Sequence, residues 1–216
     1  MAVMVVDPFE KFWLEYDNWY DEHPNIYRSE LWAVELASRG VPRPWVEIGV
    51  GSGRFAAPLG VDVGLDPSER LLELASRRGV KVVKGFAEST PFPDGSFGGV
   101  FVIITICFLD EPLKALREAR RILKPEGRLV VGFIPRDSPW GTFYSRLKER
   151  GHKFYSHARF YSLSELTGML ELSGFETELL VSTLRNPPGS PEVLEPPVLG
   201  LAPGASFLVV RARAAR

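Results

Sequence analysis

Val46-Glu47-Ile48-Gly49-Val50-Gly51-Ser52-Gly53 runs apolar residues into alternating glycines. Such a pattern ends a strand in a turn whose backbone a ligand can approach closely, because no side chain blocks the way. Open α/β sheets bind their ligands at strand ends of this kind. A tight turn with no ligand would use the same glycines. A dinucleotide turn follows Gly-x-Gly-x-x-Gly, and its third glycine would fall at position 54, which is Arg54. The acid ahead of the turn, Glu47, can accept hydrogen bonds directly or through water from a cationic amino group, as a cofactor carrying an amino acid requires.

Two further stretches follow the same logic. Asp66 closes Gly64-Leu65-Asp66-Pro67, where a strand-end carboxylate can accept both hydroxyls of a ribose. The competing reading is a helix N-cap before Pro67, and one aspartate can do both. Gly85–Phe97 then passes the same mouth of the sheet, where backbone amides and Glu88 can read the edge of a base, although an ordinary polar loop has the same composition.

No acid–base dyad stands out. Cys107 ends an apolar run and reads as a small buried hydrophobe. His152 and His157 lack neighbouring ligand residues, so no metal is expected. Tyr144 and Lys148 match the Tyr-x-x-x-Lys of short-chain dehydrogenases and follow the fifth strand as theirs do. The glycine spacing is wrong for that family, however, and no serine ends the fifth strand, so an NAD(P)-dependent oxidoreductase is the lesser alternative.

These residues need strands to carry them. Trp45–Val50, Val61–Leu65, Val80–Val83, Val100–Phe108 and Leu129–Ile134 are short apolar runs, with helical patterns at Pro67–Arg78 and from Asp110 to Leu123 between several of them. Alternating strands and helices predict crossovers and a parallel sheet covered on both faces. The interval from Glu47 to Asp66 holds Pro58 and Gly60, which predicts a truncated first crossover helix. Upstream, one helix from Asp7 carries Phe9, Phe12, Trp13, Tyr16, Trp19 and Tyr20 at helical spacing, and a second runs from beyond Pro24 to Gly40. Residues 1–40 are thus expected to form a helical cap and 41–216 the ligand-binding domain. The aromatic-rich segment Pro135–Tyr161 is expected to be an inserted lid. Ser162 and Glu165 form a capping-box pattern. Phe175–Thr183 and Phe207–Val210, joined by a Pro/Gly-rich loop, predict an antiparallel pair at one sheet edge.

Composition narrows the class. A chain of 216 residues can bury a real core. A formal charge of −1 gives no broad phosphate-binding surface, so nucleic acid is not an expected partner. A single cysteine excludes an internal disulfide and a multi-thiolate metal site. No run suits a membrane span, Met1–Val6 lacks the basic start of a signal peptide, and the cytoplasm is the expected location. Absence of glutamine, with arginine exceeding lysine, gives a thermophile-like composition.

The three motifs in order, with Ile122–Leu129 ahead of the fifth strand, resemble the class I S-adenosylmethionine-dependent methyltransferases. The resemblance spans roughly Tyr16 to Val210 and includes Tyr16-Asp17-Asn18-Trp19-Tyr20, Phe160-Tyr161-Ser162 and Ser173-Gly174-Phe175. It implies a Rossmann-like, doubly wound, seven-stranded, mostly parallel sheet with an antiparallel C-terminal edge strand and a helical cap. It further implies S-adenosyl-L-methionine as cofactor and S-adenosyl-L-homocysteine as product. Glu47, Gly49, Gly51, Ser52 and Gly53 would surround the methionine moiety, with Tyr16 also at the cofactor. Asp66 would hold the ribose, Pro67 would lie against the adenine, Ala87 and Glu88 at its edge, and Ile104 and Thr105 near the methionine end. Three positions depart from the family: Phe86 where an acid is common, Gly98 in place of an aspartate, and Glu126 in place of a second glycine. Methyl transfer from a sulfonium needs no protonated leaving group, so alignment and desolvation supply much of the rate. The acceptor is expected to be a small molecule, met by Tyr20, Cys107, Trp140, His152 and Tyr155. A non-catalytic adenosyl-cofactor-binding protein would carry the same motifs.

Overall fold

The computed structural model describes residues 7–215, and the Met1–Val6 segment considered above as a leader lies outside them. The short apolar runs become β1 (Trp45–Ile48), β2 (Val63–Asp66), β3 (Lys81–Lys84), β4 (Phe97–Ile103) and β5 (Leu123–Phe133). Three more strands follow at β6 (Phe175–Thr183), β7 (Val198–Leu199) and β8 (Phe207–Ala214). They form a single sheet in the order β3-β2-β1-β4-β5-β8-β6-β7. The strands through β5 pair in parallel, and β8 is antiparallel to both β5 and β6. The chain leaves β1 toward β2 and β3 on one side, then returns to place β4 on the other. The carboxyl ends of β1 and β4 therefore flank a topological switch point.

The helices are α1 (Asp7–Lys11), α2 (Trp13–Glu22), α3 (Pro24–Ser38), α4 (Ala56–Leu59), α5 (Glu69–Arg77), α6 (Pro112–Ile122), α7 (Pro139–Glu149) and α8 (Leu163–Leu172). Alternation along β4 divides the core. Val100 and Val102 face a cluster with Leu116 and Ile122 of α6 and Leu166 and Leu170 of α8. Phe101 and Ile103 face the other, with Val34 and Ala37 of α3 and Leu72 and Ala75 of α5. The Ser162–Glu165 capping box opens α8. The first crossover helix, α4, has only four residues and ends at Gly60 with φ 65°.

Several elements differ from the expectation. The sheet has eight strands rather than seven, because the Pro/Gly-rich loop contributes the two-residue β7, paired with β6 at Val181–Leu199 and Ser182–Val198. The antiparallel β6–β8 pair forms as expected, but β8 lies between β5 and β6, so the outermost strand is β7. The first helix is interrupted at Phe12 (φ −113°, ψ 29°). The run Val100–Phe108 is a strand only to Ile103; Ile104 adopts φ 51°, and Ile106–Phe108 is a 3-10 turn. Among the described residues no helix is long and apolar enough to cross a membrane.

Candidate active site

The glycine turn is tied to the end of β2. Gly49 and Val50 donate their amides to the Leu65 carbonyl at 2.7 and 3.0 Å. A side chain at Gly49 would place its Cβ 2.3 Å from Cγ2 of Thr105, so only glycine lets the residue after Ile104 lie against the turn. Thr105 Oγ1 in turn donates to the Gly49 carbonyl at 3.2 Å. Asp66 sits beside this turn, buried, with Oδ2 accepting from the Gly51 amide and Oδ1 from the Ser68 amide, both at 2.9 Å. Burial pushes its carboxyl up to about 6, outweighing those two amides, which favour the anion. The N-cap of α5 is Ser68, whose Oγ accepts from Leu71. A cap-only role for Asp66 is therefore replaced by a bridge between the turn and the helix entrance, with lone pairs left over.

Glu47 lies one step behind. It is 1% exposed, and its Oε2 has no hydrogen-bond partner. Burial, with the Asp66 charge adding to it, holds the carboxyl well above the usual range. An orphaned acid under a glycine turn is what a ligand ammonium would satisfy.

A cleft of about 120 Å³ opens here, lined by Tyr16, Gly49, Gly51, Asp66, Pro67, Ala87, Glu88, Ile104 and Thr105 among others. Phe86, standing where an acid was expected, lies on its wall. The remaining three sequence candidates are set back. Glu47 is enclosed, the Ser52 carbonyl accepts from the Arg78 guanidinium at 2.7 Å, and at Gly53 a Cβ would lie 3.0 Å from Cα of Ala75.

A second cavity of about 630 Å³ adjoins the first, and Tyr20, Cys107, Trp140, His152 and Tyr155 all line it. Phe9, Tyr16, Ile104 and Phe108 line both, so the two spaces meet at these side chains. Burial pushes the Cys107 thiol up to about 12, which keeps it from being a thiolate nucleophile. Burial and then the Lys153 charge lower the pKa of His152. His157 is exposed and outside the cavity. Lys148 donates to the Ala158 carbonyl at 2.6 Å, whereas Tyr144 is buried among aromatic rings, so the Tyr-x-x-x-Lys pair forms no joint site.

Two features escaped the sequence reading. Arg54 makes paired contacts with Asp17 (2.9 and 2.9 Å) and with Asp21 (2.8 and 2.6 Å), and Arg78 reaches Asp17 at 2.7 Å. Burial acts to raise the Asp17 pKa, but the two arginines prevail and bring it to about 2. This network ties α2 to the glycine turn. Glu30 is the second feature: a 1% exposed acid on the wall of the larger cavity, with an unpartnered Oε2 and a carboxyl raised by burial to about 8. Its position on the stripe Ile26, Glu30, Ala33, Val34, Ala37 was a readable signal, since an acid interrupts an otherwise apolar face.

The family model for the methyltransferase domain matches residues 46–131, from β1 into β5. The chain is 41% identical over 200 residues to an uncharacterized protein of Mycobacterium tuberculosis, covering 91% of this chain and 70% of that one. It is 38% identical over 177 residues to an uncharacterized protein of Methanocaldococcus jannaschii, covering 82% and 84%. A solved SAM-dependent methyltransferase of Thermotoga maritima superposes with a TM-score of 0.90 and 43% identity over 97% of this chain and 99% of that one. The chain belongs to the class I S-adenosylmethionine-dependent methyltransferases. The family implies S-adenosylmethionine as the cofactor of this methyltransferase, and the orphaned Glu47 oxygen beside an open glycine turn fits an amino-acid-bearing ligand. Neither alternative, the oxidoreductase nor the non-catalytic binder, gains support from these relatives.

Proposed function

We propose that this methyltransferase transfers a methyl group to a small-molecule acceptor held in the aromatic cavity, releasing S-adenosylhomocysteine. The observation that carries this is the junction: Phe9, Tyr16, Ile104 and Phe108 border both spaces, so a group held in one meets a group held in the other. In this reading Asp66 accepts the ribose hydroxyls, Pro67, Ala87 and Glu88 border the adenine, and Glu47 balances the amino group. Ser52 and Gly53 act through the shape of the turn. The cofactor supplies an electrophilic methyl on a sulfonium. Tyr16 and Ile104 fix the approach, and the aromatic walls keep water out. Ile104 holds a left-handed backbone, φ 51°, with its amide bonded to the Gly132 carbonyl at 2.8 Å; such strain in a non-glycine residue is found where a site fixes a wall.

Residues 1–40 act as a cap and 135–161 as a lid, a division supported by their shared lining of the larger cavity. A concave aromatic space suits a small molecule better than nucleic acid, and the near-neutral chain adds no phosphate-binding field. The test is release of S-adenosylhomocysteine from S-adenosylmethionine across amines, phenols, thiols and carboxylates. Histamine belongs in the set, because the Thermotoga neighbour is described as a possible histamine N-methyltransferase. Turnover with one class supports the proposal. Tight cofactor binding with no turnover on any class would favour the non-catalytic reading.

A further inference from the structure

We propose that Glu30 anchors the acceptor, and that the acceptor therefore carries a cationic nitrogen, an ammonium or amidinium, paired with this carboxylate inside the aromatic cavity. The inference rests on the larger cavity being the acceptor site. Glu30 occupies a place on α3 that its neighbours Ile26, Ala33 and Val34 fill with apolar side chains, and it is buried as deeply as they are. An acid there costs stability unless something pays in return, and Oε2 has no partner to do so.

The surroundings define what is missing. No lysine or arginine lines the cavity among the described residues, and burial is the one cause of the raised Glu30 pKa, so no cation of the chain answers it. Tyr20 of α2 and Tyr144 of α7 face the carboxyl, each with its own ionisation pushed up by burial and by Glu30. Tyr155 is likewise held neutral, and burial keeps the nearby His152 imidazole short of protons. His23 at the end of α2 is held by Glu192 at 3.3 Å, and Glu195, packed against α3 through Ser29, is paired with Arg185 at 3.2 Å. The other two acids on the cavity wall, Glu15 and Glu22, are exposed, and Glu15 is paired with Lys153. Among the described residues Glu30 is thus the one buried acid of the lining, set among neutral aromatic rings, and aromatic faces also attract a desolvated cation.

Glu47 offers the internal comparison. It too is buried with an orphaned oxygen, but it lies under the glycine turn and answers to the cofactor's amino group. Glu30 lines only the larger cavity, so it answers to a different ligand. A nitrogen held as a cation has no lone pair to attack a methyl group. The methyl is therefore received by a second nucleophilic atom of the same acceptor, reaching the junction at Tyr16 and Ile104. Binding is proton-balanced: the protonated Glu30 of the free protein loses its proton to solvent as the ammonium enters.

Calorimetry tests this with 2-phenylethylamine and its neutral counterpart 2-phenylethanol, on the protein saturated with S-adenosylhomocysteine, in two buffers of different ionisation enthalpy. The amine should bind about tenfold or more tightly than the alcohol, as a charge-assisted hydrogen bond implies, and should release a proton at pH 7. Glu30→Gln should abolish both the preference and the proton release while leaving S-adenosylhomocysteine binding unchanged. Equal affinity for amine and alcohol, binding of neither at millimolar concentration, or a preference that survives in Glu30→Gln would overturn the proposal. Should Glu30→Gln fail to fold, Glu30→Met, apolar like its neighbours on α3, takes its place with the same expected losses. Failure of S-adenosylhomocysteine to bind the wild type would instead contradict the cofactor site, and the two failures are separable.

Discussion

Asp66 and Glu47 are both carboxyls buried at the glycine turn, but only Asp66 is supplied with donors, from Gly51 and Ser68. Asp66 lines the cleft, and hydrogen bonds to a charged acceptor are worth roughly 1.5–3 kcal/mol each. Asp66→Ala should weaken S-adenosylhomocysteine binding by about tenfold to several hundredfold. Asp66→Asn should weaken it too, since the amide offers one acceptor oxygen and no charge. Wild-type affinity in a folded Asn variant would remove the ribose role. In that role, with its carboxyl pushed up to about 6, Asp66 should lose its share of the affinity as pH falls below 6 and the carboxylate is protonated. Glu30 makes a stability prediction of the same kind. Its folded pKa of about 8 exceeds its ordinary value of 4.5, so the folded chain keeps a proton that the unfolded chain gives up. Its contribution to stability is whole below pH 4.5 and is lost as pH rises to 8, a slope that thermal midpoints should show and that Glu30→Gln should flatten.

Element by element, what could be read from the sequence was what obeys a local rule. β1, β2 and β3 carry apolar runs bounded by glycine or proline, and the Ser162–Glu165 box sits within one turn of helix. β7 obeys no such rule, because two residues have no period and its partner comes from β6. The Asp17–Arg54 contact spans 37 positions, so Arg54 registered only as a missing third glycine, although it is the tie that holds α2 over the turn. Glu30 was legible in type and spacing but not in its lack of a partner, which depends on what α2 and α7 bring against it. The tie itself is testable. Asp17 has only 8% of its side chain exposed, and Arg54 14%. Breaking a fully buried pair costs about 3–5 kcal/mol. Asp17→Asn should cost about 2–4 kcal/mol, somewhat less because Arg78 reaches solvent, and should speed hydrogen exchange in α2. Stability within error of wild type would deny the tie its role. If α1, α2 and the 135–161 segment close over bound ligand, S-adenosylhomocysteine should slow exchange in all three. Unchanged exchange there would count against the cap and the lid.

At the scale of the molecule, the sheet order puts one mouth at the carboxyl ends of β1 and β4, and the glycine turn, Asp66 and the Phe86–Glu88 stretch line it. The doubly wound sheet could by itself serve a dinucleotide as well as an adenosyl amino acid. Two details of this chain separate them: Arg54 where the third glycine of a dinucleotide turn would stand, and an orphaned Glu47 oxygen beneath the turn. An added phosphate would meet that acid where an ammonium would be welcomed. Calorimetric titration of the purified chain with S-adenosylhomocysteine, and separately with NAD(H) and NADP(H), tests the claim most directly. A single saturable site for S-adenosylhomocysteine is expected, with weaker binding, or none, for the nicotinamide cofactors; tighter binding of a nicotinamide cofactor would overturn the cofactor assignment.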